Sequence, residues 1–384
     1  MIVEVRGTGT HNKGAELMLC AIRQYLRELD PDIQLAVDPF FGTYSDRARH
    51  GLLSKARATG FGRASVVQRL MSPAYRRTYG LVVDEEVNAV LDAAGFAYGD
   101  QWGLRPTREA VEFYSEAKRR GQPVVLLPQA FGPFSTTELA SQAKRLIDVS
   151  SLVFARDDVS FRHLQELGGP FPNVRKAPDF TSIVKGHMPP DIELPERYAC
   201  IVPNIRMLDQ GAKKEQQAYV GFLAECIRRL RVREIEAVFL FHDDTTDPQV
   251  ADAVESELSF TLKRIREHRP EYLKGILGHS CLVIGSRFHA LVGALSQAVP
   301  CIVTGWSHKY EMLVSDYGCP ELLIHPSDSI EITESLLNQL LSTHSRSAVV
   351  TKLREHGCDL NRLVREMFSL TAEVIGLVPK VVCA

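Results

Sequence analysis

Residues 284–300 read IGSRFHALVGALSQAVP. An apolar run, CLVIG (281–285), leads into this stretch, and a second, PCIVTG (300–305), leads out of it. Between them Leu291, Val292, Leu295 and Ala298 recur at helical spacing, so the segment reads as strand, helix over 288–298, strand. A helix joining two apolar strands is the βαβ unit of a parallel sheet. Such a buried turn has no structural need for a cation and an imidazole two residues apart, yet Arg287 and His289 stand there. In open α/β sheets ligands bind beyond the carboxyl ends of the strands, where helix N-termini favour anions. Arg offers a planar fork for carboxylate or phosphate oxygens, and His exchanges a proton near neutral pH. The pair therefore points to a negatively charged ligand, with a structural Arg–His cap of the helix as the alternative.

The same rhythm extends in both directions. Upstream, MIVEV (1–5), IQLAV (33–37), PVVLLPQ (123–129), SLVFAR (151–156) and NVRKA (173–177) read as strands, with helices over 13–29, 107–120, 135–149 and 157–167. The segment KGHMPPDIELPERY (185–198) holds three prolines and no periodicity, as a linker would. Beyond it ACIVPN (199–204) and AVFLFH (237–242) join the two strands above, with helices over 211–231 and 248–267. The expected fold class is α/β, with two Rossmann-like domains facing a cleft. The expected bounds are 1–184, a linker at 185–198, a second domain at 199–327 and a helical tail at 328–384.

With 384 residues, two domains are the expectation, and 45% apolar with 24% charged residues match a globular chain. Met1 opens directly into IVEV with no secretory pattern, so a cytoplasmic location is expected. A net charge of −2 argues against nucleic acid as a partner. The eight cysteines are scattered singly without zinc spacing, so no metal site is expected, and Cys281 and Cys301 read as small core hydrophobes. Residues 46–80 break the pattern, with Arg47, Arg49, Lys55, Arg57, Arg63, Arg69, Arg76 and Arg77 against Asp46 alone. Such a basic insertion suits peripheral contact with an anionic membrane at its inner face, or equally a solvated surface loop.

Further chemistry gathers in the loops after the strands. RGTGTHNKGAE (6–16) follows the first strand, but its glycines miss the dinucleotide spacing GxGxxG. TGWSHKYEML (304–313) brings His308 and Lys309 to a helix start, and PNIRMLD (203–209) brings Arg206 to the end of a strand. Arg287, Arg206 and Lys309 with His289 fit a small, multiply charged anion.

RGTGTHNKGAELML, LLPQAFGPFS (126–135), FARDDVSFRHLQELG (154–168), the pair Pro178 and Asp179, and VIGSRFHALVGALSQAVPCIV followed by Lys309, in this order, resemble the polysaccharide pyruvyl transferase family. The resemblance implies a GT-B-like fold and transfer of a pyruvyl group from phosphoenolpyruvate to two hydroxyls of a polysaccharide or lipid-linked sugar. The product is a cyclic ketal, and the setting is exopolysaccharide and cell-envelope biosynthesis. It implies a donor pocket of Arg287, His289 and Arg206, to which Lys309 and His308 are added as neighbours, with His289 as acid and Arg287 as its catalytic partner. No cofactor is required, since phosphoenolpyruvate is a co-substrate. GFAYGDQWG (95–103) and the opening loop depart from the family pattern on the acceptor side, where Asn12, Glu16 and Asp100 are candidates for sugar contacts. The alternative on the same architecture is a nucleotide-sugar-dependent glycosyltransferase.

Overall fold

Strands covered on both faces read as unbroken apolar runs. VVLLPQ, buried at every position, is one of them. In the computed structural model the described residues are 1–56 and 71–378. Two compact units make up the chain: Met1–His11, Met18–Phe180 and Leu363–Ala384 form one, and Asn12–Leu17 and Thr181–Arg362 form the other. Residues 185–198 thus fall within the second unit, as do residues 328–362 of the helical tail and the first turn of the opening helix.

The first unit contains β1 (Ile2–Arg6), α1 (Lys13–Leu29, from Met18 on), β2 (Gln34–Val37), α2 (Tyr44–His50), β3 (Leu53–Lys55), α3 (Pro73–Tyr79), β4 (Leu81–Val82), β5 (Ala89–Asp92), α4 (Leu104–Arg119), β6 (Val124–Gln129), α5 (Thr137–Val149), β7 (Leu152–Ala155), α6 (Asp158–Gln165) and β8 (Val174–Lys176). Among the described residues its strands form one sheet in the order β4-β3-β2-β1-β5-β6-β7-β8, every pair parallel. The order reverses between β1 and β5, the topological switch point of a doubly wound sheet. β3, β4 and β5 are too short to show a period of their own in the sequence. β5 is nonetheless central, and its terminal Asp92 is buried, accepting from Tyr98 Oη (2.5 Å) and Tyr114 Oη (2.8 Å).

The second unit contains β9 (Tyr198–Val202), α7 (Arg206–Asp209), α8 (Lys213–Val232), β10 (Glu236–Phe241), α9 (Asp247–Leu258), β11 (Lys263–Arg266), α10 (Pro270–His279), β12 (Leu282–Gly285), α11 (Phe288–Leu295), β13 (Cys301–Val303), α12 (Lys309–Asp316), α13 (Ile330–Leu341) and α14 (Thr343–Val374, to Arg362). Its strand order is β11-β10-β9-β12-β13, again parallel throughout, with the switch point between β9 and β12. The helix expected over 248–267 stops early. Ser259 takes the left-handed conformation (φ 62°) after α9, and Lys263–Arg266 pairs with β10 as an edge strand. Its charges, three of four residues, look like the polar face of a helix but belong to a sheet edge. Cys200, Cys226 and Cys301 are buried, and burial pushes their thiols up, away from the thiolate.

The basic insertion is partly ion-paired where it is described, and Arg77 is exposed. Arg47 donates to the carbonyls of Pro39 and Gly42, Arg49 pairs with Asp46, and Arg76 with Glu86. Arg57, Arg63 and Arg69 lie outside the described residues. Lys55 is buried between Glu4 (3.1 Å) and Asp84 (2.5 Å). Removing one partner of a buried ion pair leaves an uncompensated charge at a cost of about 3–5 kcal/mol. Lys55→Ala is therefore expected to lower unfolding stability by about 3 kcal/mol, read by chemical denaturation, and a change within the range of a surface substitution would contradict this account of the β1–β3 core.

Candidate active site

The switch point of the second unit is built around Ser286, the residue after β12. It is fully buried. Its carbonyl accepts from Asn204 Nδ2 (2.8 Å) and Tyr310 Oη (2.8 Å), and its hydroxyl meets Tyr219 Oη at 2.5 Å. Tyr219 in turn accepts the backbone N–H of Asn204 at 3.1 Å. The loops after β9 and β12 and the helices α8 and α12 are thereby tied to one residue. The next residue, Arg287, is the N-cap of α11.

Arg287 does not stand open to solvent. Its Nε donates to Asp247 Oδ1 at 3.1 Å, its Nη2 donates to the same oxygen and lies 3.4 Å from Thr246 Oγ1, and Asp243 Oδ2 is 3.7 Å away. The donors on Nη1 make no hydrogen bond among the described residues. Asp247 is fully buried at the start of α9, and its other oxygen accepts the N–H groups of His242 (3.0 Å) and Asp243 (3.0 Å). Burial raises the Asp247 carboxyl pKa, against the pull of Arg287 and these N–H groups. At Asp243 burial is outweighed by the N–H groups of Thr246 and Thr245 and by Arg287, and the pKa falls.

His289 lies in the first turn of α11 and packs edge-on to Phe288, with ring centroids 5.5 Å apart. Its other neighbour is the N-terminal turn of α1. A Cβ on Gly14 would fall 2.2 Å from His289 Nδ1, so only glycine admits the ring here. Asn12 caps that turn through its Oδ1, which accepts the Gly14 N–H at 2.9 Å. Lys13 donates to Glu16 Oε2 (3.0 Å) and to the carbonyl of His268 (3.0 Å), and its N–H reaches the carbonyl of His242 at 3.5 Å. Glu16, expected as a sugar contact, is fully buried beneath Lys13, so its carboxylate serves the fold.

His242, absent from the sequence expectation, is where these groups meet. It is buried, and burial, followed by the positive groups of Arg287, His289 and Lys13, lowers its pKa to about 3. The ring is therefore neutral at neutral pH. A histidine whose folded pKa lies below its unfolded value near 6.5 favours the fold in its neutral form. That contribution is complete above about pH 6.5 and is lost as pH falls toward about 3. Unfolding measured across this window is expected to show a steeper acid loss in the wild type than in His242→Gln, and superimposable profiles would contradict it.

The remaining predicted residues are distributed more widely. Lys309 begins α12 and lies over an aromatic group, 4.8 Å from the Trp306 ring, 5.2 Å from Tyr310 and 5.6 Å from Phe288, which connects it to the Arg287 turn. His308 is the N-cap residue of the same helix. Arg206 follows Asn204, whose Oδ1 accepts its N–H at 3.1 Å, but its side chain is exposed and pairs with Asp209 at 2.8 Å. Asp100 belongs to the first unit, where it accepts the Ser135 N–H (2.9 Å) and hydroxyl and so holds a turn. Lys13, His242, Asp243 and Asp247 are the site residues that sequence reasoning missed. The run HDDTTD (242–247) after β10 occupies the carboxyl end of a predicted strand and was the available signal. Among the described residues no group of three or more His, Cys, Asp or Glu could hold a metal ion.

The family model for polysaccharide pyruvyl transferase matches residues 12–308, from the turn that packs on His289 to His308. The chain belongs to the polysaccharide pyruvyl transferase family. It is accordingly a transferase, and the family implies a sugar or polysaccharide acceptor. No curated protein matches the sequence. Among solved structures, the chain is similar to a putative UDP-N-acetylglucosamine 2-epimerase from Listeria monocytogenes (TM-score 0.60, 12% identity, covering 99% of this chain and 99% of that one). It is also similar to a glycosyltransferase from Rickettsia africae (TM-score 0.59, 13% identity, 97% and 98%). A third is Anabaena HepE in complex with UDP-glucose (TM-score 0.57, 11% identity, 96% and 99%). At these identities the likeness is one of fold, and the fold is GT-B-like.

Proposed function

We propose that this pyruvyl transferase takes phosphoenolpyruvate as donor and closes a cyclic ketal on two hydroxyls of its sugar acceptor. The observation that carries the reading is the Arg287–His289 turn at the β9/β12 switch point, in a chain of this family. Phosphoenolpyruvate carries a phosphate and a carboxylate on three carbons, and a guanidinium held in a fixed orientation is the group suited to either. Asp247 anchors one edge of Arg287, leaving Nη1 for the donor. Asp243, half-buried and 3.7 Å away, is the weaker partner that an incoming phosphate displaces.

His289 gives a proton to the methylene carbon, and the double-bond electrons form the new C–H bond, leaving an oxocarbenium-like centre at the adjacent carbon. The first sugar hydroxyl bonds to that carbon and loses its proton. The carbon–oxygen bond to phosphate then breaks, inorganic phosphate leaves, and the second hydroxyl bonds in its place with loss of its own proton. Arg287, with Lys309 and Arg206 as further cations of the same loops, stabilises the charge on the departing phosphate. A glycosyltransferase reading needs a nucleotide diphosphate in this place. It is supported only by the likeness of fold.

Phosphate release from phosphoenolpyruvate in the presence of bacterial glycan fragments, with ketal detected by mass spectrometry, tests this function. Wild type is expected to turn over, and His289→Ala to lose at least a hundredfold in kcat, as removal of a general acid does. Asp243→Asn is expected to lower the KM for phosphoenolpyruvate by removing the competing carboxylate. Undiminished turnover by His289→Ala would remove the acid role, and UDP-hexose consumption without phosphoenolpyruvate turnover would favour the glycosyltransferase.

A further inference from the structure

We infer that the cavity beside Lys309 is a carbohydrate subsite that takes one neutral pyranose ring. The cavity lies within the second unit and measures about 320 Å³, at the small end of ligand pockets. Trp306, Ser307, Tyr310 and Glu311 from the β13–α12 turn, Glu215 of α8 and His325 are among its lining residues.

Its wall is rigidly built. Tyr310 donates to the Ser286 carbonyl at 2.8 Å, and a Cβ on Gly305 would fall 2.1 Å from the Tyr310 ring, so glycine at 305 is what lets the ring lie against the chain. Trp306 Nε1 and Ser307 Oγ are buried with no hydrogen-bond partner among the described residues. Buried donors in this state carry a desolvation cost that a ligand oxygen relieves. The half-buried indole offers an apolar face for the C–H groups of a sugar, backed by the buried Tyr310 ring, and the unmatched donors are the groups suited to its hydroxyls.

The lining carries two carboxylates, Glu215 and Glu311, and two histidines, His308 and His325, with neither lysine nor arginine, so it is no concentrated positive site. Glu215 spends its oxygens on the Ser327 N–H (3.0 Å) and hydroxyl (2.5 Å), and Glu311 is exposed at the rim. The Glu311 carboxylate is thus the one left to accept from a ligand hydroxyl, and a carboxylate at the rim suits a polyol better than a phosphate. Lys309, over Trp306 at 4.8 Å and near Phe288 at 5.6 Å, places the cavity next to the Arg287 turn. The assignment of this sugar as the pyruvylation acceptor rests on the proposed function. The binding of a sugar does not.

The chain has two tryptophans, so Trp102→Phe leaves Trp306 as the sole indole reporter. That protein is titrated with methyl glycosides of glucose, galactose and mannose, and with uridine, by emission and by saturation-transfer NMR. A saturable glycoside signal, weakened about tenfold by Ser307→Ala as expected for loss of one useful hydrogen bond, is the predicted result. No transfer to any glycoside at millimolar concentration would overturn the subsite, as would uridine binding that is sensitive to Ser307→Ala. Phosphoenolpyruvate binding is measured on the same sample. Failure of the sugar with donor binding intact removes the subsite alone, and sugar binding without donor binding removes the pyruvyl reading alone.

Discussion

The buried carboxylate of Asp247 is the constraint on which the site depends. It accepts two backbone N–H groups from the loop after β10 and bonds the guanidinium of Arg287, the N-cap residue of α11. One side chain thus fixes the course of one loop and the direction of the cation on another. A buried charge with these partners is tolerable, and the same charge without Arg287 would cost several kcal/mol. The arginine is therefore pre-oriented before any ligand arrives, which is what recognition of a planar or tetrahedral anion requires. Ser286 completes the scaffold by drawing Asn204, Tyr219 and Tyr310 onto the same turn.

The local charges are compensated in the absence of a ligand. Arg287 faces Asp247 and Asp243, and Lys13 faces Glu16. A donor with several negative charges gains affinity by replacing the weaker of these contacts rather than by filling an empty positive field. The first turn of α1 contributes as well. Lys13 and Gly14 belong to the second unit and pack about His242 and His289, so the N-terminal motif shapes the surroundings of the proposed acid.

Much of this was legible in the sequence. The strand, turn and helix stand as expected up to Leu295, three residues short of the expected end at 298, because an apolar run ending in Gly-Ser and followed by helically spaced apolar residues has one good solution in a parallel sheet. The Arg287–His289 turn lies at the predicted end of its strand for the same reason. The HDDTTD run marked Asp247 as polar at a strand end, but its burial was not legible, since an aspartate at a helix start ordinarily caps that helix in solvent, and only the fold reveals its contact with a distant arginine. Gly14 fits no phosphate-loop spacing, and its lack of a side chain is explained by the His289 ring. The edge strand Lys263–Arg266 was hidden because its charges carry no period, and the composition of the two units depends on contacts far apart in the chain.

The central claim is that the Arg287 turn receives phosphoenolpyruvate. Calorimetric titration of the intact protein with phosphoenolpyruvate, beside UDP-hexoses and repeated on Arg287→Ala, tests it most directly. Saturable binding of phosphoenolpyruvate that is lost in the variant is the predicted result. Binding of a UDP-hexose with none of phosphoenolpyruvate, or phosphoenolpyruvate binding that Arg287→Ala leaves unchanged, would contradict it.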